Sequence, residues 1–287
     1  MLNQTKKRKV FHLPSLGYPR FVEFGHYHYR KVEPTLEAHQ HQDVVEICFC
    51  IRGQQYYELG EHLLKLRGND ILIVPPNQNH SSGVYPEDIG ELYWLQIHIN
   101  HVKGQLCHLP TVQSEFLISA LQDKAGGIFK GALVLKSHLQ KLIGQLESEQ
   151  TTLTQLTTNQ LLIQLLLETL ELSQTTQIVV PSERVKIIDE FIAANLHRII
   201  YVDELAELVN FSTAYFKSWF KQHFGAPPKA YINRLKIERA KEELLKNNTI
   251  TEVAYNLGFS TSQYFATTFK KFTGMSPKVF RMRVEKP

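Results

Sequence analysis

Two stretches near the C-terminal end decide how the chain is read: "VDELAELVNFSTAYFKSWFKQHFGAPPKAYI" (residues 202–232) and "ITEVAYNLGFSTSQYFATTFKKFTGMSPKVF" (residues 250–280). Laid over one another they match Ala206 with Ala254 and Phe211-Ser212-Thr213 with Phe259-Ser260-Thr261. After one inserted residue they match Phe216 with Phe265, Phe220 with Phe269, Gly225 with Gly274 and Pro228 with Pro277. So many identities in one order mark a duplicated unit. Each copy reads as helix, tight turn, helix. Leu205, Ala206 and Val209 give the apolar face of a short first helix, and Ser212 is placed to cap the second. Phe216 and Phe220 lie one turn apart, and Gly225 stops the helix. The small Ala206 and Ala254 let two helices cross closely, as a helix-turn-helix requires.

With the phenylalanines inward, Thr213, Ala214, Lys217, Ser218 and Lys221 face outward in the first copy. Thr261, Ser262, Gln263, Ala266, Thr267 and Lys270 do so in the second. Short polar and cationic side chains at the start and middle of a second helix are what reading base edges in a major groove calls for. Taken singly each could be ordinary polar surface; the duplication in a basic region argues for the nucleic-acid reading. Between the copies, "PPKAYINRLKIERAKEELLKNN" predicts one helix from about Pro228 to Lys246. At ~1.5 Å per residue that is roughly 28 Å, close to the ~34 Å repeat of B-DNA, so two reading helices would meet successive major grooves.

Residues 182–287 resemble the DNA-binding domain of the AraC/XylS family of bacterial transcription regulators, with "GFSTSQYFATTFKKFTGMSPKVFR" (residues 258–281) close to the family's C-terminal signature. The resemblance implies seven helices with two helix-turn-helix motifs, and reading helices at 213–221 and 261–270. This chain has no arginine on those outward faces.

Charge agrees with that placement. Residues 182–287 carry 17 Lys and Arg against 11 Asp and Glu, while the remainder carries 15 against 17. The basic excess therefore sits where a polyanion would be met. The polar stretch "SQTTQIVVPSE" (residues 173–183) reads as a linker over 174–181 leading to Ser182 as a helix cap.

The N-terminal part alternates β-rich runs with turns: "FVEFGHYHY", "VVEICFCIRG", "QQYYELG", "HLLKLRGND", "ILIVPPNQNH" and "ELYWLQIHI". Strands this short at this spacing predict a sandwich or barrel. From Thr111 to Ser173 the pattern turns helical, with Leu156, Ile163 and Leu170 on one stripe widened by Leu162, Leu166 and Leu167. Such a face needs a partner, either the β domain or a second chain. The expected fold is thus α+β and multidomain. Residues 1–110 form a β-barrel for effector binding, 111–173 a helical dimerisation segment, 174–181 a linker, and 182–287 the DNA-binding domain.

His39 and His41 are two apart, so on a strand both would point to one face. The pattern His39-x-His41-x4-Glu46-x6-Gly53, followed by Gly68-x6-Pro75-x-Asn77-x2-His80, resembles the two motifs of the cupin barrel. The resemblance implies His39, His41, Glu46 and His80 as candidate ligands of a divalent metal. Asn77 and Val84 depart from the cupin pattern, and the gap from Gly68 to Pro75 is one residue longer.

Three uses compete for this constellation. A catalytic cupin would hold Fe, Mn, Ni or Zn with positions open to a substrate. A sensor would bind an effector, with Tyr27, Tyr29, Tyr93 and Trp94 as stacking walls. Otherwise the histidines are hydrogen-bonded parts of a packed barrel. The sensor is favoured, since a linked DNA-binding domain gives ligand recognition a use. The expectation is a DNA-binding regulator and not an enzyme, with no required cofactor. Its partners would be double-stranded DNA, a small effector for which a carbohydrate is the leading candidate, a second copy of the chain, and RNA polymerase. The three cysteines form no paired framework, no apolar run approaches the ~20 residues of a membrane span, and no secretory signal opens the chain, so the cytoplasm is expected. The run "KKRKV" (residues 6–10) reads as a solvated end.

Overall fold

A computed structural model describes residues 8–100, 104–175, 183–246 and 248–284. They divide into two compact units. The first contains β1 (Arg8–His12), β2 (Phe21–Tyr29), Thr35 of β3 (Glu33–Thr35), whose Glu33 and Pro34 group with the second unit, β4 (Val44–Leu59), β5 (His62–Arg67), β6 (Asp70–Val74), β7 (His80–Ser81), β8 (Pro86–Glu87), β9 (Gly90–His98), α1 (Thr111–Gln122), β10 (Ile128–Lys130), α2 (Leu133–Glu147) and α3 (Thr152–Thr175). The second is helical: α4 (Glu183–Ala194), α5 (Val202–Leu208), α6 (Thr213–Phe224), α7 (Pro228–Leu244), α8 (Ile250–Asn256), α9 (Ser262–Thr273) and α10 (Pro277–Val284).

In the first unit the antiparallel order is β1-β2-β9-β4-β6-β10. The runs "VVEICFCIRG" and "QQYYELG", expected as two strands, form the single strand β4. Its first half pairs with β9 and β6 and its second half with β5 and β7. The change of partners falls at Gly53, whose φ of 87° is open to glycine and whose absent Cβ would lie 2.2 Å from the Ile89 carbonyl oxygen. The strand can turn the corner only because nothing projects there. "KKRKV" is more than a solvated end, because Arg8, Lys9 and Val10 pair with Tyr27, His26 and Gly25 in β2; Lys6 and Lys7 lie outside the described residues.

Alternation along β4 and β9 sorts the side chains. Val45, Ile47, Phe49, Tyr93, Leu95 and Ile97 join a core with α1, α2 and α3. Cys48, Cys50, Leu92 and Trp94 turn to the other side, where Tyr27, Tyr57, Leu66, Leu72 and Val74 close a second core. All three cysteines are buried thiols. The segment 111–173 proves integral to this unit: β10 pairs with β6, and α3 packs on the sheet through Leu161, Leu162, Leu165, Leu166 and Leu170. The buried stripe therefore differs from the expected one, since Leu156 is 61% exposed and Leu167 is exposed as well. The buried face runs unbroken through Thr154, Thr158, Leu161, Leu162, Leu165, Leu166, Thr169 and Leu170, and because three of these are polar threonines an apolar heptad spacing misjudged the seam. The expected linker and Ser182 cap fall almost wholly on 176–182, outside the described residues; 174–175 belong to α3.

The second unit has two cores. One gathers Ile188, Ile192, Leu205, Ala206, Phe216, Phe220, Tyr231 and Ile232; the other gathers Ile237, Ala240, Leu244, Val253, Ala254, Phe265 and Phe269. Helix α7 serves both, its first half one core and its second half the other. It ends at Leu244, slightly short of the expected Lys246. No helix among the described residues is long and apolar enough to cross a membrane.

Replacing Leu166, fully buried against the sheet, with Ala is expected to lower the unfolding free energy of this unit by about 2–5 kcal/mol, whereas Leu156→Ala should change it by less than about 0.5 kcal/mol. Urea unfolding of both variants checks the seam, and equal losses would contradict it.

Candidate nucleic-acid interface and histidine cluster

Helices α5 and α6 form one helix-turn-helix and α8 and α9 the other. Each turn passes through a left-handed residue, Asn210 at φ 56° and Gly258 at φ 60°. The caps locate the inserted residue. Ser212 Oγ accepts from the Tyr215 amide in α6, but in α9 the cap is Thr261, whose Oγ1 accepts from the Tyr264 amide at 3.0 Å. Structurally Ser212 therefore corresponds to Thr261, and Ser260 is the extra residue of the second turn. Two of the expected outward contacts are engaged internally: Thr261 in its cap, and Thr213, whose hydroxyl donates to Asp203 Oδ1 at 2.7 Å.

The remaining outward residues are presented as the spacing predicts. Ala214, Lys217, Ser218 and Lys221 are exposed on α6, as are Gln263, Thr267 and Lys270 on α9; Ser262 and Ala266 are half-buried. Tyr215 and Tyr264, at equivalent positions, are exposed too and were not singled out from the sequence. Arg239, Lys241 and Lys246 pair with Glu238, Glu242 and Glu243. Lys217, Lys221 and Lys270 have no carboxylate within 4 Å among the described residues. Helices α6 and α9 thus offer unneutralised charge outward, whereas Arg239 and Lys241 of the connecting helix are paired with carboxylates.

In the first unit, His39 and His80 are joined by a two-way backbone bridge, His39 N–H to His80 O at 3.0 Å and His80 N–H to His39 O at 2.9 Å. This bridge brings the two sequence motifs together, with ring centroids 4.2 Å apart. Neither His39 nor His41 is on a regular strand, because β4 begins only at Val44, after a left-handed turn at Asp43. Their side chains nonetheless converge: one ligand atom each from His39, His41 and His80 lie within 4.8 Å of one another.

Glu46 stands apart from that trio. Its Oε2 lies 3.2 Å from His41 Nε2 and accepts from Gln96 Nε2 at 2.7 Å, and its Oε1 accepts from Cys48 Sγ. The implied fourth ligand is thus committed to neighbours. Gln96 is the residue the sequence reading missed; the one signal was a lone amide in the apolar run "ELYWLQIHI".

Burial would lift the Glu46 carboxyl, but the hydrogen bond from His41, the His80 charge and the bonds from Gln96 and Cys48 hold it at about 2. The bond to Glu46 raises His41 against its burial, while burial lowers His80. His39 Nδ1 and His80 Nδ1 face the carbonyls of Glu37 and Gln78, and the buried His80 Nε2 has no hydrogen-bond partner. Each Nδ1 then carries the proton, leaving an Nε2 lone pair for an incoming group.

The aromatic wall is only partly as expected. Trp94, Tyr27 and Tyr29 belong to the interior face, with Arg8 over the Trp94 ring at 4.7 Å. Tyr93 is excluded from it: adjacent to Trp94 on β9, it must point the other way, where it packs on His26 and donates to Glu91 Oε1.

Two family models match the sequence: a helix-turn-helix domain over residues 205–283 and an AraC-like ligand binding domain over residues 24–166, together well over half of the chain. The chain belongs to the AraC family. An HTH-type transcriptional regulator of Staphylococcus aureus strain MSSA476 is 28% identical over 255 residues, covering 82% of this chain and 31% of that protein. The HTH-type transcriptional regulator YobQ of Bacillus subtilis is 38% identical over 92 residues, 32% of this chain and 38% of that one. The chain spans about a third of the length of these curated relatives. Among solved structures, the C-terminal domain of the two-component response regulator yesN from Fusobacterium nucleatum is 30% identical, with 35% of this chain and 99% of that chain covered at a TM-score of 0.34. The β-rich first unit and the two helix-turn-helix motifs of the second are the architecture of an AraC-family chain.

The depressed Glu46 carboxyl stabilises the fold fully above its ordinary value of 4.5, and that contribution is lost as pH falls towards 2. Wild type is expected to lose on the order of 3 kcal/mol more than Glu46→Gln across that interval. Acid titration of denaturant midpoints measures it, and parallel curves would refute the ionised Glu46.

Proposed function

We propose that the protein is a sequence-specific regulator of transcription that binds double-stranded DNA through α6 and α9 and answers a small effector bound in its first unit. The carrying observation is the pair of capped helices on one connecting helix, each presenting unpaired lysine beside short polar side chains. Ala214, Lys217, Ser218 and Lys221 would meet one half-site, and Ser262, Gln263, Ala266, Thr267 and Lys270 the other. The sensing domain is assigned to 1–110, dimer formation to 111–173 and DNA reading to 182–287. In support of a homodimer, α1 and α3 expose Phe116, Leu153 and Leu156. The effector acts by binding one arrangement of domains or subunits better than another. RNA polymerase is the further partner such a regulator would engage, in the cytoplasm.

A carbohydrate is the proposed effector class. Support comes from the polar groups of His39, His41 and Gln96 on the side of the sheet that also carries Tyr57 and Trp94, a combination suited to hydroxyls on an apolar ring. A second reading, a divalent ion held by His39, His41 and His80, is favoured by the buried, unpartnered His80 Nε2. Such an ion would supply a Lewis-acid anchor for an oxygen of the effector. In either reading the protein senses and does not catalyse.

Lys217→Ala and Lys270→Ala are each expected to weaken binding to a selected duplex and to lower the salt slope of log affinity by about 1. Fluorescence anisotropy against salt reads this, and unchanged slopes would remove these lysines from the interface. Zinc or nickel is expected to raise the melting temperature of the full chain but not of His80→Ala; an equal rise in both would dismiss the imidazole site.

A further inference from the structure

Lys236 lies in the middle of α7 and is only 4% exposed. A buried ammonium is costly unless it is paired or hydrogen-bonded, and here no carboxylate takes the charge among the described residues. Its Nζ donates instead to two backbone carbonyls, Arg198 at 2.8 Å and Gly258 at 3.1 Å, and sits 5.4 Å from the centre of the Phe259 ring. Burial, with the nearby Arg198 charge, brings its pKa down to about 8.

The two carbonyls belong to different modules. Arg198 precedes α5, and its guanidinium fastens that loop to Asn195 at the end of α4 and to Glu204 in α5. Gly258 is the left-handed turn residue of the second helix-turn-helix. The backbones meet there directly, since a Cβ on Gly258 would lie 2.4 Å from the Arg198 carbonyl carbon. The two apolar cores remain separate clusters on α7. Apolar burial stabilises each module, while a polar pin and a bare glycine join them.

We infer that Lys236 is the positioning residue that fixes how the two reading helices are set relative to one another, so that the protein selects DNA by the spacing of its two half-sites. This rests on the DNA-binding reading above. The side chain points into the module junction and touches no base. Its effect is therefore on register: adding one base pair moves the second half-site by ~3.4 Å and turns it about the duplex axis. A rigid reader cannot follow that displacement, and a loosened one can.

The full chain is first used to select duplexes from a random library. Wild type, Lys236→Met and the milder Lys236→Gln are then compared on the selected duplex, on the same duplex with one base pair inserted between the half-sites, and on a duplex keeping one half-site. Wild type is expected to lose about tenfold or more on the insertion. The variants should bind the single half-site as wild type does and lose threefold or less on the insertion. A full spacing penalty retained by a folded variant overturns the role of Lys236 and leaves the regulator reading intact. Unfolding of both variants by circular dichroism also counts against it, because separate cores should survive loss of the pin. If wild type selects no duplex, the DNA-binding reading falls and this inference with it.

Discussion

One helix shared between two apolar cores is the constraint that organises the C-terminal unit. Tyr231 and Ile232 commit the first half of α7 to one cluster, and Ile237, Ala240 and Leu244 commit the second half to the other. A helix of 17 residues is about 26 Å long and resists bending, so it ties both modules to one axis and leaves their setting about that axis to the junction at Lys236 and Gly258. Within each module a phenylalanine pair, Phe216 with Phe220 or Phe265 with Phe269, joins α6 or α9 to the core it shares with the helix before it.

The same economy appears in the first unit, where alternation along two strands does the sorting. Side chains at 45, 47 and 49 dock the helices, while Glu46, Cys48 and Cys50 face the interior. A charged group survives there because its oxygens are all used: Gln96, His41 and Cys48 surround it with donors. His39 and His41 come from irregular backbone, and a single bridge from residue 39 to residue 80 in β7 replaces what a regular strand would have supplied.

The helical repeat was legible because identical residues recur at matched positions, and periodicity then gave inward and outward faces correctly for Phe216, Phe220, Lys217 and Lys270. The place of the insertion was not, since "FST" occurs in both copies and only cap geometry tells Ser260 from Thr261. Convergence of His39, His41 and His80 was implied by the resemblance to the cupin motifs, whereas Gln96 depends on the pairing of β4 with β9, which sequence does not display. Tyr93 was misplaced by treating neighbouring aromatics as one wall, although a pleated strand sends adjacent side chains to opposite sides. Lys236 escaped notice because a lysine within a charged helix looks solvated until its surroundings are known.

The longer second turn has a consequence of its own. With Ser260 inserted, the two modules are related but not interchangeable, and their exposed faces differ: Lys217 and Ser218 in one stand where Ala266 and Thr267 stand in the other. A gripping surface built from two unlike halves in fixed succession has a head and a tail. Bound to a duplex as proposed above, even a solitary chain would therefore lie in one direction along it, a polarity that a two-fold symmetric pair of identical motifs could not provide.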